Sequence, residues 1–283
     1  MGEGATAPGG DVNVLATAVA GRGLVPPHEP VFAADDEALL RGRAVFETAR
    51  VYGGRPFRLA AHLERLRLSA ARVRLPEPDA VECARLVALV VEAAGEPELA
   101  VRLYWTGTTL VATAGAVAPE LEELRARGLR LATVPWSAGM LAGAKSTSYA
   151  ENMAAQDVAA ARDADDALLV ALDGTVLEAP TANVWWREGS RISTPPLALP
   201  VLAGVTRAVL FEIAPSVGYD AVEGVLTAAR LAEVDELFLS SSIREVMPVV
   251  SVDGVAVGGG APGTAAIALQ QALRSVAGVP SAQ

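Results

Sequence analysis

The sequence predicts an α+β protein of two domains, and three observations point that way. Helical and strand patterns mix without the regular βαβ rhythm of a doubly wound sheet. A small, Pro-containing stretch at 116–120 interrupts the pattern, and strands and helices start afresh after it. An apolar helical stripe at 264–276 closes the chain. The boundary falls after residue 119, giving a small N-terminal α/β domain at 1–119 and a larger C-terminal domain at 120–283.

In the first domain, residues 12–20 read as a strand, and Asp35, Asp36 and Glu37 turn into a short helical segment. Stretches 44–51 and 56–59 flank Gly53 and Gly54 as a hairpin. Leu63, Leu66, Ala70 and Val73 recur at helical spacing within 62–73. Asp79 offers a short carboxylate to the free amides of a helix start, and Gly95 tolerates the left-handed turn that ends one, so a second helix runs to 94. Residues 99–105 and 109–114 make a further strand pair. In the second domain, 129–134 is a strand, 146–162 an Ala-rich helix, and 167–172 a buried strand turning at Asp173-Gly174 into 175–178. Residues 183–186 and 191–193 form a hairpin, 206–214 a helix behind Gly204, 226–232 a short helix and 236–239 a strand.

Composition excludes several roles. With 283 residues and 52% hydrophobic content, the chain has ample material for a core. A net charge of −10 argues against nucleic acid as a partner, since phosphate backbones select basic surfaces. No apolar run approaches the roughly 20 residues of a membrane helix. Cys83 is the lone cysteine, so no disulfide forms within one chain, which fits the cytoplasm. With Cys83, His28 and His62 as the only thiol and imidazoles, no metal site of the zinc type is expected. Residues 1–10 lack a basic start and an apolar core, and read as a loose tail rather than a signal peptide.

Of 23 positive residues, all but Lys145 are arginine. A genome-wide preference for arginine explains a surface without lysine, but not why one lysine survives in the otherwise uncharged stretch 136–149. A primary amine that chemistry needs cannot be replaced by guanidinium, which stays protonated and forms no imine. An imine between Lys145 and pyridoxal phosphate makes three further demands: an anion site for the phosphate, a carboxylate at the pyridine nitrogen, and a donor near the ring oxygen. Glu178 ends the 175–178 strand among uncharged neighbours, and reads equally as that carboxylate or as a strand end facing water. Gly204-Val205-Thr206 leads into a helix whose free amides would cradle a phosphate, although an isolated Gly-x-Thr is more often a plain helix cap. Ser240, Ser241 and Ser242 follow a strand and offer hydroxyls; Arg65 and Arg207 are candidate cations. His62, on an apolar helix face, reads as a packed or hydrogen-bonding histidine rather than a catalyst.

Taken in order, the segments from about 34 to 263 resemble the class IV aminotransferases, the fold-type IV pyridoxal-phosphate enzymes with the D-amino acid aminotransferase-like architecture. Gly42-Arg43-Ala44-Val45-Phe46-Glu47-Thr48 is similar to the family's Gly-x-x-Val/Phe-Glu-Thr stretch, and His62-Leu63-Glu64-Arg65-Leu66 to its His-x-x-Arg-Leu. Lys145 to Asn152 resembles the Schiff-base segment, Glu178 to Val184 the strand with the pyridine-nitrogen glutamate, and Gly204-Val205-Thr206-Arg207 the Gly-Ile-Thr-Arg element. Asp235-Glu236-Leu237-Phe238, then Ser242 and Pro248-Val249, is similar to the last motif.

The resemblance implies that Lys145 is the catalytic lysine, and that Arg65, Val205, Thr206 and Ser242 bind the cofactor phosphate. It further implies Glu178 at the ring nitrogen and Tyr149 as donor to the ring oxygen. Arg102 and Arg43 become candidate substrate contacts. The partners implied are an amino donor, a keto acid acceptor and a second copy of the chain in a homodimer. Gly107 is followed by Thr108-Thr109-Leu110, without the Arg-x-His carboxylate trap of bacterial D-amino acid enzymes. Transamination and 4-amino-4-deoxychorismate lysis to 4-aminobenzoate and pyruvate both stay open, with transamination ahead.

Overall fold

The computed structural model describes residues 13–279; the tail at 1–10 lies outside the described residues. In chain order the elements begin with β1 (Val14–Val19), β2 (Gly23–Val25), α1 (Glu37–Arg41), β3 (Val45–Tyr52), β4 (Arg55–Pro56), α2 (Leu59–Arg72), α3 (Ala80–Ala94), β5 (Leu99–Trp105) and β6 (Leu110–Ala116). These strands form one antiparallel sheet in the order β2-β1-β6-β5-β3-β4. Next come α4 (Glu120–Arg127), β7 (Leu129–Trp136), α5 (Ala150–Ala160), β8 (Asp166–Ala171), β9 (Glu178–Ala179), β10 (Ala182–Glu188), β11 (Arg191–Thr194), α6 (Val205–Ile213), β12 (Asp220–Glu223), β13 (Glu236–Ser241), β14 (Glu245–Val252), β15 (Val255–Ala256) and α7 (Thr264–Val276). Their strands form a second, mixed sheet, β12-β11-β10-β13-β14-β7-β8, with β15 on β14 and β9 on β10. The α+β class is as the sequence predicts.

Alternation along β3 and β5 decides what each face of the first sheet does. Val45, Val51, Leu99 and Leu103 point to one face, where Leu66 and Ala70 of α2 and Leu86, Val87 and Val90 of α3 cover them. Phe46 pairs with Tyr104 and Thr48 with Arg102 on the opposite, half-buried face. On the second sheet, α6 and α7 bury Trp185, Ile192, Phe238 and Val246, and α5 covers Ala132, Ala167 and Leu169. Each Val, Leu, Ile or Phe among them contributes about 1.5–3 kcal/mol on burial.

The two sheets meet at Glu245, which is fully buried. Its carboxylate accepts from Tyr52 of β3 at 2.6 Å, from Gln270 of α7 at 2.5 Å, from Arg125 of α4 at 3.1 Å and from Arg274 of α7 at 2.9 Å. Arg50 of β3 also donates to the Ile243 carbonyl at 2.9 Å.

Several elements differ from expectation. The predicted helix at 146–162 is only α5, because Lys145 to Thr147 run extended along the open edge of β3. Phe46 N–H donates to the Lys145 carbonyl at 3.0 Å and Thr147 N–H to the Ala44 carbonyl at 2.9 Å. The stretch taken as a linker runs straight into α4, whose acidic first turn and basic last turn suit a helix dipole. The strand expected at 56–59 is two residues long, since α2 starts at Leu59. The helix expected at 226–232 is one 3₁₀ turn at Ala228–Arg230. Strand β14 is not among the strands the sequence predicts, and it carries Pro248, a residue that removes a ladder donor. Pairing of β14 to β7 begins only at Val249, so the proline loses no partner on that side.

Candidate active site

Lys145 lies where the first sheet, α2 and the second sheet converge. Its backbone N–H donates to Ser69 Oγ of α2 at 3.1 Å, and its half-buried side chain places Nζ 4.3 Å from the centroid of the Phe46 ring. Burial and the nearby Arg65 charge push the amine down to about 8, against the opposite pull of Glu47 and Glu178; Arg102 adds to the depression. A lysine in this range has an appreciable free-base fraction near neutrality, as a nucleophile requires.

Glu178 heads β9 and is half-buried. Its Oε2 accepts from Asn183 Nδ2 and from the Leu202 N–H, both at 3.1 Å. Oε1 accepts no hydrogen bond among the described residues. Burial lifts the carboxyl to about 7, in spite of the Leu202 N–H, Lys145 and Arg65, which favour its ionised form.

The 202–204 segment that caps Glu178 also starts α6. Asn183 donates to the Leu202 carbonyl at 2.8 Å, and Gly204 caps α6 without a side-chain bond, so the first amides of the helix, Val205 and Thr206 included, have no intrahelical acceptor. A Cβ at Gly204 would stand 2.0 Å from Asn183 Oδ1. Gly204→Ala therefore forces Asn183 off Glu178 and should cost about 1–3 kcal/mol of stability. A denaturant midpoint unchanged from wild type would show that the loop absorbs the methyl.

Arg65 reaches this loop from α2, donating to the Ala203 carbonyl at 3.1 Å through Nη1. Its other edge makes two bonds to Glu47 of β3, at 2.6 and 2.7 Å, and His62 Nδ1 lies 2.7 Å from the same carboxylate. Burial alone would raise Glu47, but Arg65 holds it at about 2, while burial lowers His62, so the pair is a carboxylate and a neutral imidazole at neutral pH. Ser242 is half-buried in the β13–β14 turn, at the same end of the sheet as Glu178, since Asn183 pairs with Ser240 on one side and Glu178 on the other.

The remaining predicted residues divide. Arg102 is half-buried on the face of Phe46 and Tyr104, close enough to depress Lys145, and has no hydrogen-bond or ion-pair partner among the described residues. The exposed Arg43 guanidinium meets Glu37 at 2.8 Å and the Arg74 carbonyl at 2.9 Å, tying α1 to the end of α2. The Tyr149 hydroxyl donates to the Pro180 carbonyl at 2.8 Å, and a phenol has one proton to give. Burial and the Glu178 charge raise that phenol further, so it stays protonated. Sequence reasoning passed over Glu47 as the partner of Arg65, Phe46 beneath the amine and Asn183 as the link between Glu178 and α6. All three lie inside the quoted motifs, which was the only signal for them.

A cleft of about 720 Å³ between the β3–β4 turn and α3 lies apart from these groups; it is lined by Gly53, Pro56, Leu59, Val87 and Val91, with Glu92 and Glu96 as its charges. It suits no phosphate. No helix among the described residues is long and apolar enough to cross a membrane.

The groups around Lys145 fit pyridoxal phosphate: an amine of lowered basicity, a carboxylate with one oxygen open, and an uncapped helix start beside an arginine. The class IV amino-transferase family model matches residues 44–252. A bifunctional aminodeoxychorismate lyase / D-amino acid transaminase of Mycobacterium tuberculosis is 33% identical over 82% of this chain and 89% of its own. A D-alanine aminotransferase of Bacillus licheniformis is 28% identical over 85% of this chain and 90% of its own. The PLP-bound form of a structure described as a hypothetical aminotransferase from Mycobacterium tuberculosis superposes with a TM-score of 0.84, at 30% identity, over 92% of this chain and 99% of that one. The chain therefore belongs to the class IV aminotransferases, pyridoxal-phosphate enzymes of fold type IV.

Proposed function

We propose that the chain is an aminotransferase that passes an amino group between an amino acid or amine and a 2-keto acid. One observation carries this: Lys145 and Glu178 lie close enough to favour each other's charged form, yet burial prevails, leaving the amine lowered to about 8 and the carboxyl raised to about 7. Pyridoxal phosphate, when bound, supplies an electron-withdrawing ring that lets a proton leave the carbon bearing the amino group. Lys145 is the covalent tether. With the cofactor bound, the Lys145 Nζ would be the group that takes that proton as a base and returns it as an acid. Glu178, with Oε1 open, would keep the ring nitrogen protonated. Arg65, the amides of Val205 and Thr206, and the hydroxyls of Thr206 and Ser242 would hold the phosphate. Arg102, a cation without an anion partner among the described residues, takes the substrate carboxylate, and Phe46 and Tyr104, stacked at 6.3 Å, shield the amine from water. Assembly as a homodimer, a cytoplasmic location and division into domains at 119/120 belong to the same proposal.

A second reading, lysis of 4-amino-4-deoxychorismate to 4-aminobenzoate and pyruvate, is favoured by the Mycobacterium tuberculosis relative whose name carries both activities. Both reactions need the same tether and ring carboxylate. A panel of D- and L-amino acids and (R)-amines separates them. We expect loss of the bound cofactor's visible band on adding a donor and its return on adding a keto acid. Formation of 4-aminobenzoate and pyruvate with no amino acceptor, and no bleaching by any donor, would replace the transaminase by the lyase.

A further inference from the structure

The turn that follows Glu178 is gripped from two sides. On one side, the Pro180 carbonyl accepts from Tyr149 Oη at 2.8 Å and from Asn152 Nδ2 at 3.0 Å, so both of its lone pairs are used by residues just after Lys145. On the other side, Arg244, from the turn that carries Ser242, donates to Thr181 Oγ1. The polar contacts then close on themselves. Arg244 Nη1 meets Asp166 Oδ2 of β8 at 2.7 Å, and Gln156 of α5 donates to Asp166 Oδ1 at 3.1 Å. Arg244, Asp166 and Gln156 are all buried. Tyr149 also packs edge-on against Phe46 at 5.5 Å, the ring beneath the Lys145 amine.

We propose that Tyr149, Asn152 and Arg244 are positioning residues that clasp the Pro180–Thr181 turn and thereby fix Glu178 relative to both Lys145 and Ser242. The inference rests on the assignment of Glu178 to the ring nitrogen. Three segments distant in sequence must converge on one small ring-shaped ligand, and none of the three is long enough in regular structure to set its own position: β9 has two residues, and Lys145 and Ser242 lie outside helices and strands. A carbonyl two residues from Glu178, bonded twice by the start of α5, transmits the Lys145 frame to the carboxylate. Arg244 transmits the Ser242 frame to the next residue. Tyr149 acts through the Glu178 turn and not on the ring oxygen, because its proton is spent on Pro180.

The test uses holoenzyme loaded with pyridoxal phosphate carrying ¹⁵N in its ring, with the nitrogen shift reporting protonation. In wild type the nitrogen is protonated, and Glu178→Gln moves its shift to the unprotonated value. If Glu178→Gln leaves the shift unmoved, the assignment of Glu178 itself fails. We expect Tyr149→Phe and Asn152→Ala each to move the shift part of the way and to slow proton transfer about ten- to a hundredfold, the loss that a misplacement of about 1 Å brings. The double variant should lose less than the product of the two, since both residues hold one carbonyl. The pH at which the cofactor's visible band titrates should stay at its wild-type value in Tyr149→Phe. The inference is overturned if Tyr149→Phe shifts that titration and leaves the ring nitrogen unmoved, the signature of a donor to the ring oxygen. It is equally overturned if Asn152→Ala, which keeps the phenol, leaves the nitrogen at its wild-type shift. Arg244→Leu removes a buried cation and risks misfolding, so the Tyr149 and Asn152 variants decide the matter.

Discussion

Lys145→Ala should abolish turnover and the covalent hold on the cofactor together. Borohydride reduction of the wild type should fix one cofactor per chain, stable to denaturation and located on Lys145 by mass. The variant should show no such adduct, and its rate should fall by at least about 10⁴-fold, the upper range for loss of one acid–base group, with loss of the tether added to it. No other lysine can step in, since the chain has no second one. In the cofactor-free protein, locating the acyl group on Lys145 by mass sets aside the α-amino terminus, which titrates at about 8 as well. An amine lowered to about 8 gains its free-base form through pH 8, where an ordinary lysine gains it near 10.4. Acylation of Lys145 should therefore rise through pH 8 and level off above it, and at neutral pH should exceed that of an ordinary lysine on the order of a hundredfold. A midpoint near 10 would mean that water, not protein, surrounds the amine.

Glu178→Gln should keep the cofactor on the enzyme and slow proton transfer by about 10²–10⁴-fold. The amide retains the shape and can still meet the Leu202 N–H, but it brings no charge to hold a proton on the ring nitrogen. The sign follows from the shift: Glu178 lies near 7 because burial disfavours its charge, and a ring cation against Oε1 is what returns it to the carboxylate form. Stopped-flow rates of band loss, measured at saturating donor, separate this effect from weaker binding. Rates equal to wild type would remove Glu178 from the chemistry.

Sequence alone carried the site further than it carried the local structure around it. Lys145, Glu178, Arg65 and Gly204 stand out through isolation from charge or through motif order, and the fold brings all four close together. Helix ends governed by short-range chemistry were legible to the residue: Asp79 caps α3 with bonds to the Val81 and Glu82 amides, and Gly95 closes it at a φ of 68°. What stayed hidden depends on partners far away in the chain. Ser146 looks helical by composition, and only the open edge of β3, a hundred residues earlier, makes it extended. Arg43 looked like a substrate contact because nothing local says that Glu37 and the end of α2 claim its guanidinium. The proton of Tyr149 could not be assigned without knowing where Pro180 folds.

The junction at Glu245 imposes an order of events on synthesis. Tyr52 and Arg50 leave the ribosome long before the carboxylate and carbonyl that will satisfy them, a separation of 193 residues in each case. At roughly 5–20 residues per second, this is a wait of about 10–40 s. For that interval the nascent first sheet holds the Arg50 guanidinium through Glu98 of its own half and leaves the Tyr52 phenol without its carboxylate, on the side destined for the interior. The early half of the chain is thus committed to waiting, and its final shape is sealed only as the last helix arrives.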